Sequence, residues 1–258
     1  MPRFAANLSM MFTEHAFPER FQAAADAGFD AVEFLFPYDH RAEDVAEWCR
    51  RAGVEQVLFN LSPGDWEAGE RGLAALPGRK AEFRQSVRTA LDYATAIGTK
   101  RLHMMAGIAN PSDPAYQDCY REQLAFAADA AAEEGVAIMI EPINGRDMPG
   151  YFLDDFDRAA ELIDRLGHPS IKLQFDIYHR QILHGDVLTG LRSLMSLIGH
   201  IQIASVPARN EPGSGELDDF RILGVLDDLG YTGFVGCEYR PKGDTVEGLG
   251  WLDRLSRS

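Results

Sequence analysis

The sequence predicts an α/β chain closed into a single (β/α)8 barrel, with residues 1–258 forming one domain. Three observations predict it. A rhythm recurs in which a helix-compatible stretch ends in Gly, a few residues follow, and a short β-branched or aromatic run begins. Eight such units fill 258 residues, the usual size of this barrel. No Pro/Ser-rich linker divides the chain, and no G-x-G-x-x-G follows the first run, which removes the doubly wound open sheet.

The elements follow in order. Residues 4–8 open the series as a strand, and a helix over 18–27 is stopped by Gly28. Strand two, 31–36, precedes a helix over 42–52 closed by Gly53. Strand three is 56–61, and its helix, 80–97, ends at Gly98. Strand four, 101–105, leads to a long helix over 114–134 followed by Gly135. Strands five and six, 136–141 and 171–176, flank a helix at 156–166 that Gly167 stops. A helix at 188–197, with Gly199 as its stop, precedes strand seven at 200–204. A helix at 218–229 ends before Gly230, strand eight is 234–238, and a helix at 246–255 completes the last unit. Glycine is the usual residue past a helix because, lacking Cβ, it takes positive φ at little cost.

Apolar residues make up 46% and charged residues 25% of the chain, enough for a large core without disulfide or metal staples. Lys and Arg number 25 against 40 Asp and Glu, a net charge of −15. That balance argues against a nucleic-acid or anionic-membrane partner, because phosphate surfaces are held by Lys and Arg. No apolar run approaches the ~20 residues of a bilayer span. The start, Met1-Pro2-Arg3-Phe4, carries no apolar leader, so a cytoplasmic enzyme with a small-molecule substrate is expected. Cys49, Cys119 and Cys237 are too scattered for a disulfide framework or a zinc knuckle. A homo-oligomer is compatible with all of this.

Side chains alternate along a strand, so position parity sorts them by face. Glu141 shares a face with Met139, whereas Ile138 and Ile140 take the other. By the same count Asp176 opposes Phe175, Gln202 opposes Ile201 and Ile203, and Glu238 opposes Cys237. Four polar side chains therefore point into the barrel mouth, at the rim where such barrels build active sites. Asn7, Glu33, Asn60 and His103 fall near the ends of the first four strands. A lone carboxylate there is more often a helix cap or a partner of Arg. Three carboxylates and an amide on four successive strands would repel one another without a cation. An oxygen-only set suits a hard divalent ion, Mg²⁺ or Mn²⁺.

At these residues the sequence resembles the hydroxypyruvate isomerase family, among the xylose-isomerase-like, divalent-metal TIM barrels. The segments that carry the resemblance span nearly the whole chain: FAANLSMM (4–11), AVEFLFPYD (31–39), GDWEAGERG (64–72), LPGR (76–79), IEPIN (140–144), QFDIYH (174–179), HIQIA (200–204), EPGSGEL (211–217) and GCEYRPKGDTVEGLGW (236–251). The resemblance implies that Glu141 and Glu238 are the catalytic proton donor and acceptor. It implies that Glu141, Asp176, Gln202 and Glu238 ligate the metal, with Gln202 where the wider superfamily commonly has His. His179 and Arg209 match substrate-contacting positions of related ketose 3-epimerases. A sister group, similar to 2-oxotetronate isomerases, shares FAANLSMMFTE and Met105-Ala106-Gly107, while IEPIN and GDTVEGL look more like the hydroxypyruvate branch.

The reaction so implied shifts carbonyl and hydroxyl between neighbouring carbons of a small anionic keto acid. An anion entering a protein of charge −15 needs local cations, and Arg209, then Lys242 and Arg240, are the candidates. Residues 62–79 exceed the usual βα loop of about 2–6 residues and hold Trp66 and Arg71, which reads as a lid over the mouth. Cys237 turns toward the helix layer and reads as a packed thiol. A DNA-repair nuclease on this barrel would need a His-rich zinc site and a basic face, and seven scattered histidines do not supply them. A non-catalytic sugar-binding barrel would not need both Glu141 and Glu238.

Overall fold

The inward and outward parity of the strands becomes two packed layers once the sheet closes. The computed structural model describes residues 2–255. Among them, eight parallel strands pair in sequence order, and β1 pairs with β8 to close the barrel. They are β1 (Arg3–Asn7), β2 (Ala31–Glu33), β3 (Glu55–Asn60), β4 (Arg101–His103), β5 (Ala137–Ile140), β6 (Ile171–Asp176), β7 (Ile198–Ile203) and β8 (Phe234–Cys237). The helices are α1 (Phe17–Asp26), α2 (Ala42–Ala52), α3 (Lys80–Ile97), α4 (Pro114–Glu133), α5 (Phe156–Leu166), α6 (Ile177–Leu183), α7 (Val187–Leu194), α8 (Asp219–Asp228) and α9 (Gly250–Leu255).

Outward strand residues such as Val32, Ile138, Ile140, Phe175, Ile201 and Cys237 join the main core against the helices. Each fully buried aliphatic side chain there contributes roughly 1.5–3 kcal/mol. Inside the barrel the lower layer is apolar, with Ala5, Ala31, Val57, Met139 and Phe234. Above it stand buried Asn7, Glu33, His103, Gln174, His200 and Gln202. The barrel is thus plugged with hydrocarbon at one end and polar at the other.

Capping sets several helix starts. Asp113, Asp155 and Asp218 each accept a backbone N–H of the first turn of α4, α5 and α8. Two departures from the sequence reading have clear causes. After strand six the chain forms a helix at once, α6, because Asp176 ends β6 and also caps the helix, accepting from the Tyr178 N–H at 2.8 Å. Gly199 does not stop a helix. It lies inside β7, where a Cβ would sit 2.6 Å from the Lys172 Cβ and 2.9 Å from the Met139 sulfur. The glycine there serves close approach between strands. Among the described residues no helix is long and apolar enough to cross a membrane.

Candidate active site

The polar layer is organised by one fully buried carboxylate. Glu33, at the end of β2, accepts from Asn7 Nδ2 at 3.0 Å, His200 Nε2 at 2.7 Å and Gln202 Nε2 at 2.8 Å. A carboxylate only accepts, so it turns the Gln202 amide nitrogen toward itself. The Gln202 carbonyl oxygen then accepts from Gln174 Nε2 at 2.7 Å. Gly236 leaves room for this carboxylate, since a Cβ there would lie 2.2 Å from Glu33 Oε2. Metal ligation by Gln202 would therefore draw on the second lone pair of an oxygen already in use.

Above this layer, Glu141 follows β5, Asp176 ends β6 and Glu238 follows β8. All three are buried. Burial raises the Glu141 carboxyl well above the usual carboxylate range, helped by the negative charges of Glu238 and Asp176. Burial likewise pushes Glu238 up to about 8 and Asp176 up to about 6, with Arg209 pulling against both shifts. The Arg209 guanidinium is shared: Nη2 lies 2.6 Å from Glu238 and 3.5 Å from Asp176, and Nη1 lies 3.2 Å from Asp147. It also lies over the Tyr178 ring, 4.9 Å from the centroid. Arg209 adopts φ 57, a left-handed conformation that non-glycine residues hold only when their surroundings enforce it.

Two histidines face the same space. The Asn144 side-chain oxygen accepts from the N–H groups of Arg146 and Asp147, which fixes the direction of its amide. Its Nδ2 therefore meets His179 Nδ1, at 2.6 Å, and the Asn144 backbone N–H points there too, at 3.3 Å. Two donors make Nδ1 the acceptor and leave the proton on Nε2, 3.5 Å from Asp176. Burial holds His179 neutral, well below its ordinary pKa. Burial also pushes His103 down to about 3, and its Nε2 has no hydrogen-bond partner although it lies 3.6 Å from Glu141.

Glu141, Glu238, His103, His179, Asp147 and Arg209 line a cavity of 310 Å³ at the strand ends, together with Trp66, Arg71 and Arg240, and Asp176 lies buried behind them. Glu141, Asp176 and His179 place ligand atoms within 4.8 Å of one another, so a buried group able to hold a metal ion is present. Glu141 Oε1 is buried without a partner, as a ligand atom waiting for a cation would be. In the tautomer set by Asn144, His179 serves as a donor, and the carboxylates carry the fit to a hard ion. Lys242 does not line this cavity. It is exposed and its backbone N–H donates to Glu211, whereas Arg240, the other cation expected after strand eight, stands at the cavity. The site role of His103 was missed because one strand-end histidine has no distinguishing spacing. Those of Asn144 and Asp147 were missed because they lie in a loop whose partners are more than thirty residues away.

The loop after β3 forms one wall of this cavity. Trp66 packs on Phe36 with ring centroids 5.3 Å apart, and the Arg71 guanidinium lies 3.8 Å over the Trp66 ring. Next to Arg71, Gly72 bridges to Ala106 and donates its N–H to Pro63.

The whole chain, not only these residues, has known counterparts. Residues 21–255 match the family described as Xylose isomerase-like TIM barrel. The 2-oxo-tetronate isomerase of Cupriavidus necator is 56% identical over 98% of each chain. The hydroxypyruvate isomerase of Escherichia coli is 42% identical over 98% of this chain and 99% of that one. A solved structure from Brucella melitensis, described as an AP endonuclease of family 2, is 47% identical and superposes with a TM-score of 0.96 over 98% of this chain and 99% of its own. With a closed eight-stranded barrel and similarity running through nearly its full length, the chain belongs to the xylose isomerase-like TIM barrel family.

Proposed function

We propose that this chain isomerises short 2-keto acids, converting hydroxypyruvate to 2-hydroxy-3-oxopropanoate, with Glu141 and Glu238 as the proton-transferring pair. One observation carries the reading. Two buried glutamates, both raised above the usual carboxylate range and Glu238 to about 8, face a single cavity from the ends of β5 and β8. A carboxyl group works best as a general acid or base when its pKa lies near the working pH. The likeness to relatives named hydroxypyruvate isomerase and 2-oxo-tetronate isomerase supports the same chemistry.

In that reaction one glutamate takes a proton from C3 of hydroxypyruvate, leaving an enediolate across C2 and C3. The other returns a proton to C2, and the hydroxyl proton moves from O3 to O2, so atoms and charge balance. His179, neutral with its proton on Nε2, presents a donor at the cavity where the developing charge would lie, and neutral His103 leaves its Nε2 without a partner there. Glu141, Asp176 and Glu238 would hold Mg²⁺ or Mn²⁺, with Gln202 behind them. When bound there, such an ion would supply Lewis-acid stabilisation of negative charge that develops on the substrate.

A second reading, a substrate one carbon longer, is favoured by the 56% identity to the 2-oxo-tetronate isomerase. The name of the Brucella structure raises DNA cleavage, against which stand the net charge of −15 and a site built on carboxylates. The deciding experiment is a panel of hydroxypyruvate, 2-oxotetronates, neutral ketohexoses and abasic DNA, assayed with purified protein before and after EDTA. Turnover of a keto acid that chelation removes and Mg²⁺ or Mn²⁺ restores is expected. Activity confined to ketohexoses or to DNA would overturn the reading.

A further inference from the structure

Which cation receives the substrate's carboxylate is the open question in this site. Three arginines line the cavity: Arg71, Arg209 and Arg240. Arg209 is spent on Glu238, Asp176 and Asp147, and Glu141 adds a fourth acidic group beside it. Both of its terminal nitrogens already face carboxylates, so an incoming anion would have to displace one of them. Arg240 is exposed, and its backbone, not its side chain, is tied to Arg209 and Asn210. Fixing a free, solvated arginine side chain forfeits rotamer entropy, which weakens its grip.

Arg71 differs from both. Its guanidinium is stacked on Trp66, and Nη1 donates to the carbonyl oxygens of Trp66 and Glu70 at 2.9 and 2.7 Å. Among the described residues it pairs with no carboxylate, while its neighbour Glu70 is engaged by Arg79 instead. The next residue, Gly72, is pinned: its N–H donates to Pro63, it bridges to Ala106, and a Cβ on it would lie 2.4 Å from the Met105 carbonyl oxygen. The plane of this guanidinium is thus preset at the cavity wall, with its charge unneutralised and Nε and Nη2 still to be used. A planar guanidinium held in this way is suited to bind a carboxylate through two parallel hydrogen bonds.

We infer that Arg71, supported by Trp66, binds the carboxylate of the substrate and selects keto acids over neutral ketoses, while Arg209 serves the acidic cluster. The inference rests on the keto-acid reading given above. It also assigns the loop after β3 a task that does not depend on its opening.

The test uses full-length protein loaded with Mn²⁺ and three variants: Arg71→Met, Arg71→Lys and Trp66→Leu. Steady-state kinetics are measured on the keto acid the wild type turns over, and tartronate, a non-reacting dicarboxylate, is titrated by calorimetry. Arg71→Met is expected to lower kcat/KM roughly 10- to 100-fold, mainly through KM, and to weaken tartronate by a similar factor. Arg71→Lys should fall between it and wild type, because it keeps the charge and loses the fork. Trp66→Leu should raise KM with kcat little changed. The Mn²⁺ affinity and melting temperature of Arg71→Met should stay near wild type, which separates anion binding from collapse of the loop. Wild-type turnover with unchanged KM and tartronate affinity in Arg71→Met overturns the assignment and leaves the isomerase reading standing. Equal losses in Mn²⁺ affinity and tartronate binding overturn it too, in favour of a structural role. A wild type inactive on every keto acid overturns the isomerase reading itself, and this inference with it.

Discussion

The burial that makes Glu141 and Glu238 costly also raises both carboxyls, so each holds its proton more tightly than a carboxyl in water. Replacing either with Gln keeps the shape and hydrogen-bonding reach but removes the transferable proton. Glu141→Gln and Glu238→Gln are each expected to lower kcat at least ~100-fold, the scale of a lost general acid or base. Circular dichroism and melting should stay close to wild type, and near-normal turnover in either variant would sink the two-glutamate mechanism. That both point inward was legible in the sequence, since parity along a short strand depends on nothing distant. The state of His179 was not legible. Its tautomer depends on Asn144, thirty-five residues away, and on two backbone N–H groups that hold the Asn144 amide in one direction.

At the scale of elements, the glycine rhythm succeeded because each helix stop is a local event. Gly53, closing α2 at φ 71, is a case in point. It failed where one residue had two duties: Asp176 ends a strand and starts a helix, so no spacer marks the start of α6. Long-range contact also hid the reason for Gly199. The loop after β3 offers the sharpest element-level test. Gly72 sits at φ 119, and a Cβ would meet the Met105 carbonyl oxygen at 2.4 Å, a backbone atom with no room to yield. Gly72→Ala should carry about 1–3 kcal/mol of strain, lowering the melting temperature by roughly 2–12 °C and raising KM. Gly69→Ala is the control, because it shares the positive φ at 92 but meets nothing within 4 Å. The smaller loss is expected there, and indistinguishable melting of the two variants would count against the pinned loop.

For the whole molecule, the acidic cluster makes stability depend on pH in a direction set by its buried carboxyls. Glu141 and Glu238 keep their protons in the fold at pH values where the unfolded chain has released them. The native state then binds more protons than the unfolded one, so stability falls as pH rises. Below about pH 6.5 the buried His103 and His179 oppose this, since unfolded imidazoles take up protons that the native rings refuse. Between pH 6.5 and 8 this opposition fades as the unfolded imidazoles lose their protons, and the carboxyls set the sign of the slope. Each tenfold difference in proton affinity between folded and unfolded chain is worth about 1.4 kcal/mol, so chelated protein should melt roughly a few degrees lower at pH 8 than at pH 6.5. With saturating Mn²⁺ the trend should reverse, because the ion and the protons compete for the same oxygens. A chelated protein more stable at pH 8 than at pH 6.5 would contradict the charge assignment of the cluster.

The double duty of Asp176 also limits how this protein can be altered. Its carboxylate has one oxygen on the first turn of α6 and the other toward Arg209. A library at this position would have to satisfy two selections at once: short polar residues that start helices, and hard anionic oxygens that hold cations. Asn meets the first and weakens the second, and Glu meets the second while its longer stem misses the first. Aspartate alone fills both roles, so variants meant to change which cation the proposed site would hold are better begun at Glu141 or Glu238, whose backbones start no helix.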